Sequence, residues 1–134
     1  MLFAQSNAQP ATISSAEARA IVETVLKNRN IHLSDRYCEL KSMDGNGKPF
    51  VTKYYTFGGS CDYPRTAATT PFGVYVVSPR TGEVWEFNTC EHVTFPALTR
   101  IQTEIKHRTG NTDVAEAQYR EHIGCDTTGT ASKK

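Results

Sequence analysis

The 134-residue chain carries almost no net charge: 15 Lys and Arg against 14 Asp and Glu leave +1 with neutral histidines. No global field draws it to nucleic acid, an anionic membrane or a polyanionic substrate. No stretch approaches the roughly 18 consecutive apolar residues of a membrane-spanning helix. Catalytic signatures are missing too. There is no G-x-S-x-G elbow, and Gly58-Gly59-Ser60 has neither the following Lys nor the helix start that a phosphate cradle needs. None of the four cysteines stands in a C-x-x-C pair, which removes zinc-ribbon and thioredoxin-type chemistry.

What is present points to one folded, exported domain. The length suits a single hydrophobic core, and 38% apolar with 22% charged residues is the balance of a folded chain with a polar surface. Leu2-Phe3 followed by Ser6-Asn7-Ala8 has the form of the end of a secretion signal, so residues 1–13 read as a signal remnant and linker. Cys38, Cys61, Cys90 and Cys125 suit two disulfides in an oxidising compartment. Of the three possible connectivities, Cys61–Cys90 with Cys38–Cys125 is favoured, because the first would tie down a long loop. The folded domain is expected over 14–125, with a disordered tail over 126–134.

The elements follow from pattern. Ser14 and Glu17 form a capping box, with Ile13 and Ala18 at the staple positions. Ala18, Ile21, Val22, Val25 and Leu26 then fall on one helical face, and the helix stops over Asn28 to Asn30. Strands are expected over 36–43 and 50–57, joined by Asp44-Gly45-Asn46-Gly47. Residues 58–71, rich in Gly, Pro, Ser and Thr, read as a long loop, a type often functional. The hairpin 72–78 and 83–89 turns through Pro79 and Gly82, with Trp85 and Phe87 on the face opposite Val84 and Glu86. A helix over 95–108 is expected with Thr94 as cap and Gly110 as stop, and another from Asp113 to Ile123, ending at Gly124. The fold class is α+β: an N-terminal helix on a four-stranded antiparallel sheet, followed by two C-terminal helices.

The hairpin GVYVVSPRTGEVWEF after an N-terminal helix resembles PepSY-like domains and bacterial NTF2-like immunity proteins, over about 15 residues plus the helix. That resemblance implies an inhibitor or immunity function.

The search for chemistry mostly excludes. His32, His92, His107 and His122 lack partners at metal-ligand spacing, so neither metal nor cofactor is expected. Glu83, Glu86 and Asp62 read by default as solvated carboxylates, not a glycosidic pair. Aromatic residues concentrate on the sheet and the 58–71 loop, the composition of a protein-binding hot spot. The expected function is therefore a non-enzymatic periplasmic or secreted inhibitor or immunity protein with one protein partner, a toxin or enzyme. Asp62, Tyr63, Arg65 and Tyr54 are the candidate partner-binding residues. A small secreted hydrolase acting on cell-wall material and a small-ligand-binding module remain as alternatives.

Overall fold

The computed structural model describes residues 11–64 and 68–125. Residues 1–10 and 126–134, read above as signal remnant and tail, lie outside the described residues. Helix α1 spans Ser15–Asn28 and opens at Ser14, whose Oγ accepts the Glu17 N–H at 3.1 Å. Only this half of the expected capping box forms, because the Glu17 carboxylate pairs instead with Arg108. Ile13 and Ala18 are both buried, and the Ile13 N–H bonds the Pro79 carbonyl at 2.7 Å. The helix buries the face read from its spacing: Ala18, Ile21, Val22, Val25 and Leu26. Each of the four larger side chains is worth about 1.5–3 kcal/mol relative to exposure.

The sheet is an antiparallel meander in the order β1-β2-β3-β4-β5, built from Cys38–Ser42, Tyr55–Tyr63, Ala68–Val77, Val84–Glu86 and Glu91–His92. It has a fifth, two-residue strand beyond the four expected. The larger correction concerns 58–71, which is not a loop. Gly58 to Tyr63 continues β2, and Ala68 to Pro71 begins β3, with a register shift at Gly59/Ser60. The Gly and Pro residues taken as turn signals serve close packing and a bulge. A Cβ on Gly59 would run into the Glu39 carbonyl and the Phe72 ring, and one on Gly58 would meet Met43 Sδ at 2.7 Å. Pro71, which has no N–H to give a ladder, pairs with Ser60 beside the irregularity. Conversely, residues 50–54 precede β2 as a turn, and the strand starts only at Tyr55.

Alternation divides the sheet between two cores. On one face Leu40, Phe57, Tyr75, Val77 and Val84 pack under α1 and under Leu98 and Ile105 of α2, Pro96–Thr109. On the other, Val51, Tyr54, Val76 and Trp85 meet Ile123 and the cysteines Cys90 and Cys125, with Phe87 and Tyr119 alongside. Trp85 and Phe87 thus share a face opposite Val84, as the pattern predicts. Helix α2 starts without the expected Thr94 cap: Phe95 takes the cap position, and Pro96 fills the first turn. The chain then forms α3, Asp113–Ala117, capped by Thr112 Oγ1 rather than by Asp113, and a 3₁₀ turn over Arg120–Ile123. What reads as one C-terminal helix is therefore two short pieces.

The disulfides are Cys38–Cys61 and Cys90–Cys125, not the pairing expected. Register explains the first. Cys38 stands directly opposite Cys61 in the β1–β2 ladder, with the Asp62 N–H on the Tyr37 carbonyl at 2.8 Å just beyond. With 58–63 a strand beside β1, Cys61 is taken by Cys38, and Cys90 pairs with Cys125.

Candidate partner-binding site

Strand β1 ends its pairing at Cys38 and Cys61, whereas β2 and β3 continue through Asp62–Thr69 and Tyr63–Ala68. The β2–β3 hairpin therefore projects beyond the edge strand, and the Cys38–Cys61 bridge lies at the base of the projection. Tyr63 is 37% exposed. Its ring lies 5.7 Å from that of Tyr37, and its hydroxyl donates to Asp35 Oδ2 at 3.2 Å. Asp35 Oδ1 accepts the Tyr37 N–H at 3.0 Å. Arg36 sits 4.9 Å above the Tyr37 ring and donates to its hydroxyl at 2.8 Å. Asp62 is exposed and accepts from the Thr69 hydroxyl. Beside this edge an open groove of about 540 Å³ is lined by Arg36, Tyr37, Cys38, Glu39, Ser60 and Asp62.

Of the residues singled out from sequence, Asp62 and Tyr63 come together here, and Arg65 lies outside the described residues. Tyr54 is placed elsewhere: it is 3% exposed, with its hydroxyl on Glu116 Oε2 at 3.3 Å. Burial first, then the Glu116 and Glu83 charges, push its phenol far above the usual range. Tyr54 serves an inner network in place of the contact surface expected for it. Asp35, Arg36 and Tyr37, which the structure sets beside Tyr63, were not singled out from sequence. Their signal was a Tyr-Arg cluster beside Cys38, hidden because the segment read as the start of a strand.

Three carboxylates, those of Glu83, Glu86 and Glu116, are buried and occupied. Glu116 is 1% exposed and accepts Ser78 Oγ at 2.9 Å and Arg80 Nε and Nη2 at 2.8 and 3.1 Å. Glu83, read as solvated, is buried and accepts Trp85 Nε1 at 2.8 Å and Arg120 Nε at 3.0 Å. Glu86, read likewise, is buried and takes the Val74 and Thr89 N–H groups, each at 2.8 Å. These groups hold the β3–β4 turn, the C-terminal pieces and the strand ends together. The remaining cleft near Glu83 contains His92, stacked on Trp85 at 4.7 Å. Burial, reinforced by Arg120 and opposed by Glu83, holds the His92 pKa below its ordinary value. Among the described residues no group of three or more His, Cys, Asp or Glu is arranged to hold a metal ion, and no helix is long and apolar enough to cross a membrane.

A braced α+β domain with its buried carboxylates committed to its own framework and an aromatic hairpin continuing past one edge strand has the make-up of an interaction protein. Residues 17–117 match the family described as "T6SS, Immunity protein Tgi2PP", and the chain belongs to this family of immunity proteins. It is also similar to a chain of a solved structure, that of a type VI secretion system effector-immunity complex from Pseudomonas protegens. The two are 28% identical, with a TM-score of 0.80 over 90% of this chain and 96% of that one. No curated protein matches the chain. At the level of a bacterial immunity domain, the resemblance carried by the 73–87 hairpin holds.

Proposed function

We propose that this protein neutralises a toxin effector by binding it through the projecting end of the β2–β3 hairpin, in the periplasm or another oxidising compartment. The observation that carries this reading is the hairpin held at its base by Cys38–Cys61, with Tyr63 and Asp62 exposed beyond it. A braced strand pair loses little conformational freedom on docking, so more of the contact energy appears as affinity. Tyrosine adds large contact area with few rotatable bonds. Arg65, two positions after Tyr63 in the sequence, belongs to the proposed contact as well. Two disulfides favour export, and the folded unit in this reading is the single domain 14–125.

The test is calorimetric titration of the purified, oxidised chain into its cognate toxin effector. Tight one-to-one binding is expected, and the Tyr63→Ala, Asp62→Ala double variant should bind at least tenfold more weakly with an unchanged melting temperature. Wild-type affinity in that variant would remove the hairpin as the contact. Absence of binding by the wild-type chain would remove the reading altogether.

A further inference from the structure

The two faces of the sheet are covered unequally. Helices α1 and α2 pack on the first, whereas on the second the C-terminal pieces meet Val76 and Trp85. Beyond Val76 the second face continues across Val74, Gly58 and Met43. A Cβ on Gly58 would meet Met43 Sδ at 2.7 Å and Val74 Cγ2 at 3.4 Å, so these two side chains flank it. Met43 is 37% exposed and Val74 is half-buried. Phe87, whose N–H bonds the Val74 carbonyl at 2.7 Å, follows, and the Phe50 ring stands edge-on to it at 5.3 Å.

Phe50 is 46% exposed, yet its place is fixed. Asp44 accepts the Phe50 N–H at 2.9 Å with one carboxylate oxygen and the Thr56 N–H at 3.2 Å with the other. That pins the 44–50 turn to the start of β2 and holds an apolar ring in water. A ring fixed before docking loses little freedom on docking, and buried aromatic anchors dominate protein interfaces.

Size and continuity select the occupant. A stable protein pair covers roughly 800 Å² on each partner, whereas one fully covered aromatic side chain supplies about 150–250 Å². Tyr63 and Asp62 alone therefore fall short, and the contact has to extend along the molecule. By alternation along β2, Gly58, Ser60 and Asp62 share the second face, with Asp62 about 13 Å from Gly58. Ser60, between them, lines the groove described above. Lys41 opposite Gly58 and Glu39 opposite Ser60 give this surface both signs, so charge does not choose the partner. From this we propose that the uncovered half of the second face belongs to the effector interface, with Phe50 as its anchor against an apolar side chain of the effector. The inference rests on the immunity reading above and extends its contact from the hairpin end along β2.

The experiment measures the dissociation constant of the cognate toxin effector for the wild type, Phe50→Ala, Phe50→Leu and Met43→Gln, each at low and high salt. Val114→Ser is the control, because Val114 is 82% exposed on α3, away from this face. Phe50→Ala should weaken binding by at least about thirtyfold, the loss typical of an anchor residue, and Phe50→Leu should recover part of it. Met43→Gln should cost about fivefold and Val114→Ser less than about twofold. The loss in Phe50→Ala should be the same at both salt concentrations, because no ion pair is removed. Melting temperatures should match the wild type, and if Phe50→Ala melts early through loss of its Phe87 contact, Met43→Gln carries the comparison. Affinity within about twofold of wild type in both Phe50→Ala and Met43→Gln would overturn the inference while leaving the immunity reading intact. Sedimentation of the free chain as a dimer that Phe50→Ala dissociates would also overturn it, since a second copy would then cover the patch. Failure of the wild-type chain itself to bind would overturn both.

Discussion

The two disulfides brace two very different regions. Cys38–Cys61 links neighbouring strands whose ladder already fixes them, on an edge that otherwise faces outward. Cys90–Cys125 ties the end of the described chain to the turn before β5 and closes the second core, where Val76, Trp85 and Ile123 meet. By loop entropy alone they differ little. With separations of 23 and 35 residues, the cross-links contribute about 3.4 and about 3.8 kcal/mol. The contrast lies in the native state. The β1–β2 edge keeps its ladder without its bridge, whereas α3 and the 3₁₀ turn rest on a few side chains: Glu116, Arg120, Tyr119 and Ile123. One bridge stiffens a surface; the other retains a segment.

The largest expected effect comes from breaking the second. Replacing Cys90 and Cys125 with Ser should lower unfolding free energy by about 4 kcal/mol and speed amide exchange across 113–124 well ahead of global unfolding. Replacing Cys38 and Cys61 should cost about 3.4 kcal/mol and leave exchange in 113–124 slow. Equal acceleration of that segment in both variants would erase the distinction between the bridges.

Glu116→Ala should cost about 3 kcal/mol, read by denaturant unfolding, because it strands Arg80 in a buried site and leaves Tyr54 and Ser78 without their acceptor. A loss under about 1 kcal/mol would mean that the C-terminal segment is held chiefly by its disulfide and Ile123.

The smallest effect concerns His92, on the same side of the molecule. Its pKa in the folded state lies below the unfolded value, so below about pH 6.5 the unfolded chain binds more protons. Stability should therefore fall as pH drops from about 6.5 through the folded pKa, and His92→Gln should flatten that part of the stability-against-pH curve. A wild-type curve already flat there, after other groups are matched, would contradict the assignment.

How much of this was legible in the sequence follows the range of the signal. Helix α1 is written in its own spacing and cap, and the β3–β4 turn in Pro79 and Gly82, because the deciding interactions lie within a few residues. The β2–β3 hairpin was not legible: Gly58, Gly59 and Pro71 are turn formers in isolation, and only the neighbouring strands reveal that they relieve crowding. The same holds for disulfide connectivity, which is a consequence of register. Tyr54 and Tyr63 were both expected at a contact surface, yet Tyr54 is buried with its hydroxyl on Glu116, 62 residues away along the chain, while Tyr63 stays exposed. Asp62 and Tyr63 were singled out because composition marks hot-spot chemistry, whereas the placement of Arg36 and Tyr37 beside them depends on strand pairing that sequence does not show.

The most direct test of the central claim is amide hydrogen exchange of the oxidised chain, free and saturated with its effector. The account predicts added protection at 35–38 and 60–64, with the outer face of α2 around Arg100 to His107 unchanged. Protection concentrated on α2, with the hairpin edge unaltered, would contradict it.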